Sequence, residues 1–277
     1  MERVGTVAII GVGLIGGSIG LALRSKQRAG RVIGVGRDVS RLEEARTLGA
    51  IDDFATDLAV GVAEADVAVV CTPVTRIVED ILACSRSGPE SILVTDAGST
   101  KARIVEGVER DAQARARFVG AHPIAGSERQ GVAFARADLF EGRSCVLTPT
   151  PQTPPDRLAR AREFWSSLGC LLFEVDPVEH DHRLALTSHL PHVVAAALAG
   201  SVPPEFLPLS AGAYRDGTRV AGADAQLWTG IFLENRAAVL DALKVMQERL
   251  ETFRHGLEAG DARLLVDWWN SAKKGSE

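Results

Sequence analysis

The chain has 277 residues, 46% hydrophobic and 24% charged, with a formal net charge of -5 and a pI near 5.8. That is enough apolar chain for a sizeable core in one or two domains, and it carries no Lys/Arg block of the kind that nucleic acid or an anionic membrane requires. Cys71, Cys84, Cys145 and Cys170 form no CxxC pair and no short ligand spacing, so they read as reduced residues of a cytoplasmic protein.

Residues 7–23 read VAIIGVGLIGGSIGLAL. The run Val7, Ala8, Ile9, Ile10 suits a buried strand, and Ile15, Ile19, Ala22 and Leu23 then recur at helical spacing. Between them lies Gly11-x-Gly13-x-x-Gly16, the spacing of a dinucleotide turn. Gly11 allows the bend, Gly13 lets backbone approach a pyrophosphate, and Gly16 lets helix pack on strand. A helix opening at Leu14 and Ile15 aims unpaired N–H groups and a positive dipole end at the phosphates. Residues 4–23 carry no charge and would pass for a membrane span, but their six glycines make a poor continuous helix.

Residues 31–35 are a predicted second strand, and 40–48 a helix capped by Ser40 with Glu43 three residues on. An acid at the end of this strand binds the ribose of NAD+, whereas an Arg accommodates the 2′-phosphate of NADP+. Gly36 stands there, followed by Arg37 and Asp38. The missing acid and the planar guanidinium of Arg37 point to NADP+. An inward turn of Asp38 is the alternative, and would suit NAD+.

Residues 67–71 are a third strand ending at Thr72-Pro73, followed by a helix over about 75–84. Residues 91–95 are a fourth, running into Asp96-Ala97-Gly98-Ser99-Thr100-Lys101, and 117–121 a fifth, stopping at His122-Pro123. Strands alternating with helices predict an α/β, Rossmann-type doubly wound parallel sheet, with its ligand crevice beyond the strand C-termini. Gly11, Gly36, Thr72, Ser99 and His122 are thereby expected on one edge. Two further strands, 145–150 and 171–175, flank a helix over 156–168, with a proline-rich loop at 148–155. Beyond Asp176 strand signals cease. Residues 180–200 read as a helix kinked at Pro191. Residues 224–254 carry Leu227, Trp228, Ile231, Val239, Leu243, Met246 and Leu250 at helical spacing. Unbroken, that helix would span roughly 45 Å, long enough to pack against a second subunit. The expected division is a dinucleotide-binding domain over 1–176 and an all-helical dimerisation domain over 177–277.

His122 is the side chain best matched to taking a proton near neutral pH, although a lone histidine at a strand end is more often structural. Ser188-His189-Leu190-Pro191-His192 adds two more, and spacings of seven and three put His182, His189 and His192 near one helix face. A metal site is the weaker reading there, because no cysteine is near and Glu179 and Asp181 fall off that face. Asp216 and Arg219 are either a surface ion pair or the start of a bidentate carboxylate clamp.

Five motifs in order over nearly the whole chain carry a resemblance. They are Gly11-Val12-Gly13-Leu14-Ile15-Gly16-Gly17-Ser18; Asp96-x-Gly98-Ser99-x-Lys101; Gly120-Ala121-His122-Pro123-x-Ala125-Gly126-Ser127-Glu128; Ser188-His189-Leu190-Pro191-His192; and Asp216-x-x-Arg219 with Trp228. Together the chain resembles the prephenate/arogenate dehydrogenases of tyrosine biosynthesis. The resemblance implies an oxidative decarboxylation in which hydride leaves C4 of the substrate ring for a nicotinamide while the ring carboxylate departs as CO2. It implies that His122 accepts the hydroxyl proton, with Ser99 beside it, and that Arg219 holds a substrate carboxylate. Ser127, Ser188 and His192 would line the pocket, Glu128 and Asp216 would form a polar gate with Arg219, and Thr72 and Pro73 would border the cofactor.

The family's helical domain is dimeric, so a homodimer is expected, with no metal, nucleic acid or membrane involved. Gly36-Arg37 departs from the acid that many NAD-using members carry. No chorismate mutase segment and no appended regulatory domain are expected, nor tyrosine feedback through one. Prephenate is the substrate expected by analogy, with arogenate as the alternative. Two rivals are a Rossmann hydroxy-acid dehydrogenase using Lys101 as base and a non-catalytic NADP+ sensor. The first leaves the His122 loop without a role. The second predicts loss of His122, Ser99, Arg219 and His192.

Overall fold

Strands β1 (Val4–Ile10), β2 (Ala29–Val35), β3 (Asp53–Ala55), β4 (Val67–Val70), β5 (Leu93–Asp96) and β6 (Phe118–Val119) form one sheet in the computed structural model, which describes residues 3–126 and 129–273. All its pairings are parallel, in the order β3-β2-β1-β4-β5-β6. The intervening helices are α1 (Leu14–Ser25), α2 (Val39–Thr47), α3 (Leu58–Val62), α4 (Ile77–Ser87), α5 (Ala102–Glu109) and α6 (Ala112–Arg115). The central strands read as unbroken apolar runs because both faces are covered. Val7 and Ile9 enter a core with Ile19 and Leu23 of α1, while Ala8 and Ile10 enter a second core with Val62, Ile81 and Ile104.

The strand ends are in register. Ile10 pairs with Val35 and Val70, and Val70 with Asp96. Gly11, Gly36, Thr72 and Ser99 therefore follow on one edge, where strand order reverses between β1 and β4. The cap of α2 differs from expectation. Asp38, not Ser40, caps it, its carboxylate accepting from the Arg41 N–H at 3.2 Å.

The expected fifth strand breaks at Gly120. Phe118 and Val119 close the parallel sheet, while β7 (Ala121–Pro123) begins a second sheet with β8 (Ser144–Leu147) and β9 (Leu171–Glu174), which flank α7 (Pro155–Ser167). β7 runs antiparallel to β8, and β8 parallel to β9. Two long-range hydrogen bonds impose the break: the Ala121 N–H donates to the Asp96 carboxylate at 3.0 Å, and the Thr148 N–H to the Gly120 carbonyl at 2.9 Å. His122 thus lies inside β7, opposite Val146, and not at the end of a parallel strand.

Among the described residues no strand follows Asp176. The helices there are α8 (Pro177–Leu184), α9 (Leu190–Gly200), α10 (Gly212–Thr218), α11 (Ala225–Glu234), α12 (Arg236–Ala259) and α13 (Ala262–Lys273). The irregularity expected at Pro191 precedes it as a π-helical turn, Ala185–His189, and Pro191 falls in the first turn of α9. A proline ring crowds the carbonyl four residues earlier, here Thr187, and the wider π-turn relieves that clash. The single helix expected over 224–254 is broken at Asn235, whose side-chain Nδ2 donates to the Asp181 carbonyl at 2.7 Å. α12 still has 24 residues, about 36 Å. It buries only Val239, Ala242 and Gly256, while Leu240, Val245, Leu250 and Leu257 are exposed. No helix among the described residues is long and apolar enough to cross a membrane.

Trp165 of α7 anchors the second sheet to the first. It is fully buried, edge-on to Phe140 and Phe164, and its Nε1–H donates to Thr95 Oγ1 at 3.2 Å. Trp165→Ala is expected to cost about 3–5 kcal/mol, measured as a lowered urea unfolding midpoint.

Candidate active site

The glycine turn is shaped by what a Cβ would strike. Gly11 has φ +92°, and a Cβ there would lie 3.0 Å from the Cys71 carbonyl. A Cβ at Gly16 would lie 2.3 Å from the Gly11 carbonyl oxygen, so α1 sits as close to the turn as backbone permits. Gly13 caps α1 without a side-chain hydrogen bond, faces open space, and is followed by a first turn with no acidic residue. The α1 N-terminus thus keeps its positive end free for a diphosphate. Leu14 and Ile15 are half-buried in that turn, and the Ile15 side chain reaches toward Gly126 in the loop after His122.

Around this cradle, Thr72 Oγ1 donates to Asp80 at 2.6 Å, and Asp80 also accepts from Arg76 at 3.2 Å. Pro73, exposed, opens the short turn that leads into α4. Arg37 is exposed and has no partner among the described residues. Asp38 is committed: besides capping α2 it pairs with Arg41 at 3.4 Å.

The turn carrying Ser99 is held by a buried ion pair. Asp96 and Lys101 side chains are both fully buried, with Nζ to Oδ2 at 2.5 Å. Asp96 also accepts from the Gly98 N–H at 2.9 Å, and Lys101 Nζ donates to the Thr100 carbonyl at 2.9 Å. Lys101 is therefore locked inside the protein, and the rival reading of it as a free base does not hold. Ser99 is half-buried on the same turn.

The half-buried His122 ring meets a group that the sequence reading passed over. Its Nδ1 lies 2.9 Å from His180 Nε2, and His180 Nδ1 lies 2.8 Å from Asp181 Oδ1. Asp181 in turn accepts from the Lys101 N–H at 2.7 Å and the Ala102 N–H at 2.9 Å. Burial holds His122 well below the usual histidine range, and the neighbouring His180 and Lys101 push the same way. His180 is lowered by burial against the opposing pull of Asp181. The available signal was the pattern of α8, where Pro177, His180 and Asp181 share an inward face at helical spacing.

The expected face of His182, His189 and His192 is not kept, because the π-turn shifts the register. His182 is exposed, whereas His189 is buried, accepts from Asn235 Nδ2 at 3.1 Å, and is lowered by burial to about 4. His192 stacks on Trp228 at 3.6 Å and 25°, its Nδ1 donating to the Ser188 carbonyl at 2.9 Å. Ser188 is half-buried one turn earlier. Asp216 and Arg219 are both exposed, and neither has an ion-pair partner among the described residues, so the simple surface pair is not formed. Ser127 and Glu128 lie outside the described residues. Among the described residues no group of three or more His, Cys, Asp or Glu side chains is arranged to hold a metal ion.

A glycine-cradled helix N-terminus at the switch point of a parallel sheet defines a Rossmann-type dinucleotide-binding protein. Residues 19–173 match the family model described as "Prephenate dehydrogenase, nucleotide-binding domain", and residues 176–271 match "Prephenate dehydrogenase, dimerization domain". The prephenate dehydrogenase of Bacillus subtilis is 34% identical over 275 residues, covering 97% of this chain and 74% of the relative. The cyclohexadienyl dehydrogenase of Zymomonas mobilis is 32% identical over 275 residues, 97% and 94%. The crystal structure of prephenate dehydrogenase from Aquifex aeolicus, in complex with hydroxyphenyl propionate and NAD+, superposes with a TM-score of 0.91 at 31% identity over 100% of this chain and 98% of that one. The chain belongs to the prephenate/arogenate dehydrogenase family of aromatic amino acid biosynthesis, and is an NAD(P)-dependent oxidoreductase of that kind.

Three histidines whose proton affinity is lowered by burial, His122 half-buried and His180 and His189 fully so, predict acid sensitivity. His122, His180 and His189 lie below 6.5 in the folded chain and return to it on unfolding. Below that pH the unfolded chain binds protons that the folded chain does not. Stability therefore falls as pH drops through 6.5 toward the folded-state values, by up to about 1.4 kcal/mol per pH unit for each histidine. Urea midpoints at about pH 7.5 and 5.5 measure this, and equal midpoints would contradict neutral burial.

Proposed function

We propose that the chain converts prephenate to 4-hydroxyphenylpyruvate and CO2 with reduction of NADP+, as a cytoplasmic homodimer. Residues 1–176 hold the cofactor and residues 177–277 complete the substrate pocket and pair the subunits. The observation that supports this reading is the placement of His122, its proton affinity lowered by burial, next to Ala121, whose N–H donates to Asp96 at the turn of Ser99 on the cofactor edge. The bound nicotinamide supplies the hydride acceptor. His122 takes the substrate hydroxyl proton as the C4 oxygen becomes a carbonyl, and Ser99 hydrogen-bonds beside it. Loss of CO2 leaves a phenolate at that oxygen, to which His122 returns the proton, so no net proton is consumed. Arg219 anchors a substrate carboxylate bidentately, and Ser188, His192 and Ser127 line the pocket. Glu128 and Asp216 gate it with Arg219.

Gly11, Gly13, Leu14, Ile15 and Gly16 cradle the diphosphate, with Thr72 and Pro73 at its border. NADP+ is favoured over NAD+ because Gly36 offers no acid, Asp38 is spent on α2 and Arg41, and Arg37 has no partner among the described residues. The exposed apolar side chains of α12 and α13, Leu250 and Trp269 among them, suit burial against a second subunit.

The decisive assay follows reduced-cofactor absorbance with prephenate and arogenate, each against NAD+ and NADP+. Turnover with prephenate and NADP+ is expected. Arogenate alone, or NAD+ alone, would overturn the substrate or the Arg37 assignment respectively. Silence in all four with cofactor still bound would overturn the reaction. His122→Asn should lower kcat by about 100-fold or more with cofactor affinity kept, and Arg219→Gln should mainly raise KM, by about 10- to 100-fold.

A further inference from the structure

His180 and Asp181 play no part in the reaction as set out above, yet both are buried against its base. A carboxylate only accepts hydrogen bonds. Asp181 is filled by the N–H groups of Lys101 and Ala102, at 2.7 and 2.9 Å, and by His180 Nδ1 at 2.8 Å, so His180 Nδ1 carries its hydrogen. A neutral imidazole has one N–H. His180 Nε2 is therefore an acceptor, and its partner at 2.9 Å is His122 Nδ1. His122 Nδ1 must donate, which leaves the lone pair on Nε2.

We propose that His180 and Asp181 are positioning residues that fix His122 in the Nδ1–H tautomer, with Nε2 left as the base. The proposal rests on the reading of His122 as the proton acceptor. One proton moves, from the substrate hydroxyl to His122 Nε2; the Nδ1 hydrogen stays on His122, donated to His180 Nε2, and the Asp181 charge steadies the imidazolium through the intervening ring. The other charged or titratable groups facing the relay are accounted for. Lys101 is held by Asp96, and His189 is separated from Asp181 by Asn235, which donates to both the Asp181 carbonyl and His189 Nδ1. The relay also joins the two halves of the chain, with the base on β7, its support on α8, and that support hung from the N-terminal end of α5.

The test uses 15N-histidine NMR on the full chain, with His180→Leu and His180→Gln beside the wild type. Wild-type His122 should show the Nδ1–H tautomer. Leucine removes the acceptor: His122 should lose that preference and kcat should fall by about 100-fold, with substrate KM and cofactor affinity unchanged. Glutamine places an amide oxygen where Nε2 stood and should recover most of the rate, which a purely structural role would not require. An Nε2–H tautomer in the wild type overturns the proposal even if the leucine variant fails to fold. So does a leucine variant with wild-type tautomer and kcat, or a glutamine variant as slow as leucine. A correct wild-type tautomer in a chain that turns over none of the substrates would instead sink the reaction and leave the relay standing.

Discussion

The geometry of the site depends on one buried ion pair, Asp96 with Lys101. Each ion loses several kcal/mol of hydration on burial, and the loss is offset only where every remaining donor and acceptor is satisfied. Here Asp96 receives Lys101 Nζ, the Gly98 N–H and the Ala121 N–H, and Lys101 Nζ has the Thr100 carbonyl as well. Those bonds fix three things together: the exit of β5, the turn of Ser99, and the start of β7 one residue before His122. The backbone N–H of Lys101 then donates to the Asp181 carboxylate, so the same knot orients the helical half of the chain.

The layers around the knot are built to keep it dry. Trp165 seals the sheet from below, while Ala121 and Leu147 are fully buried beside it. Water-free surroundings strengthen each hydrogen bond and raise the penalty for any that is missing. This is why a break at Gly120 is tolerable. The sheet loses a ladder bond, and the freed Ala121 N–H finds a carboxylate instead.

The parts legible in the sequence are those set by neighbours in the chain. Apolar runs marked the central strands, and the glycine spacing marked the turn, because sheet burial and tight turns impose local composition. The rest was decided by residues far away. The break at Gly120 is imposed by Asp96 and Thr148, which nothing near residue 120 announces. Apolar periodicity runs unbroken through Asn235, and only the Asp181 carbonyl, 54 residues earlier, shows why the helix stops. His180 was overlooked because the spacing of His182, His189 and His192 assumed a regular helix, and the π-turn inserts extra rotation between the first and the other two. The cap at Asp38 bears on function too, since it removes that carboxylate from cofactor recognition.

In the proposed reaction, burial presents His122 with opposing demands. A proton acceptor must start neutral, and the apolar setting of His122 ensures that. The same setting would make the imidazolium costly once the proton arrives. The charges nearby resolve the conflict. Lys101, the cation that would repel the arriving proton, is matched by Asp96. Asp181, the anion that would welcome it, meets only N–H donors and the His180 ring among the described residues, and no Lys or Arg side chain cancels it. Even so, Lys101 still lowers His122 along with burial and His180, so in the proposed reaction the imidazolium relies on the hydrogen bond to His180, whose ring is bound in turn by Asp181. In the proposed relay His122 starts neutral through burial and is steadied on protonation by the hydrogen bond it gives His180, which burial alone would not supply.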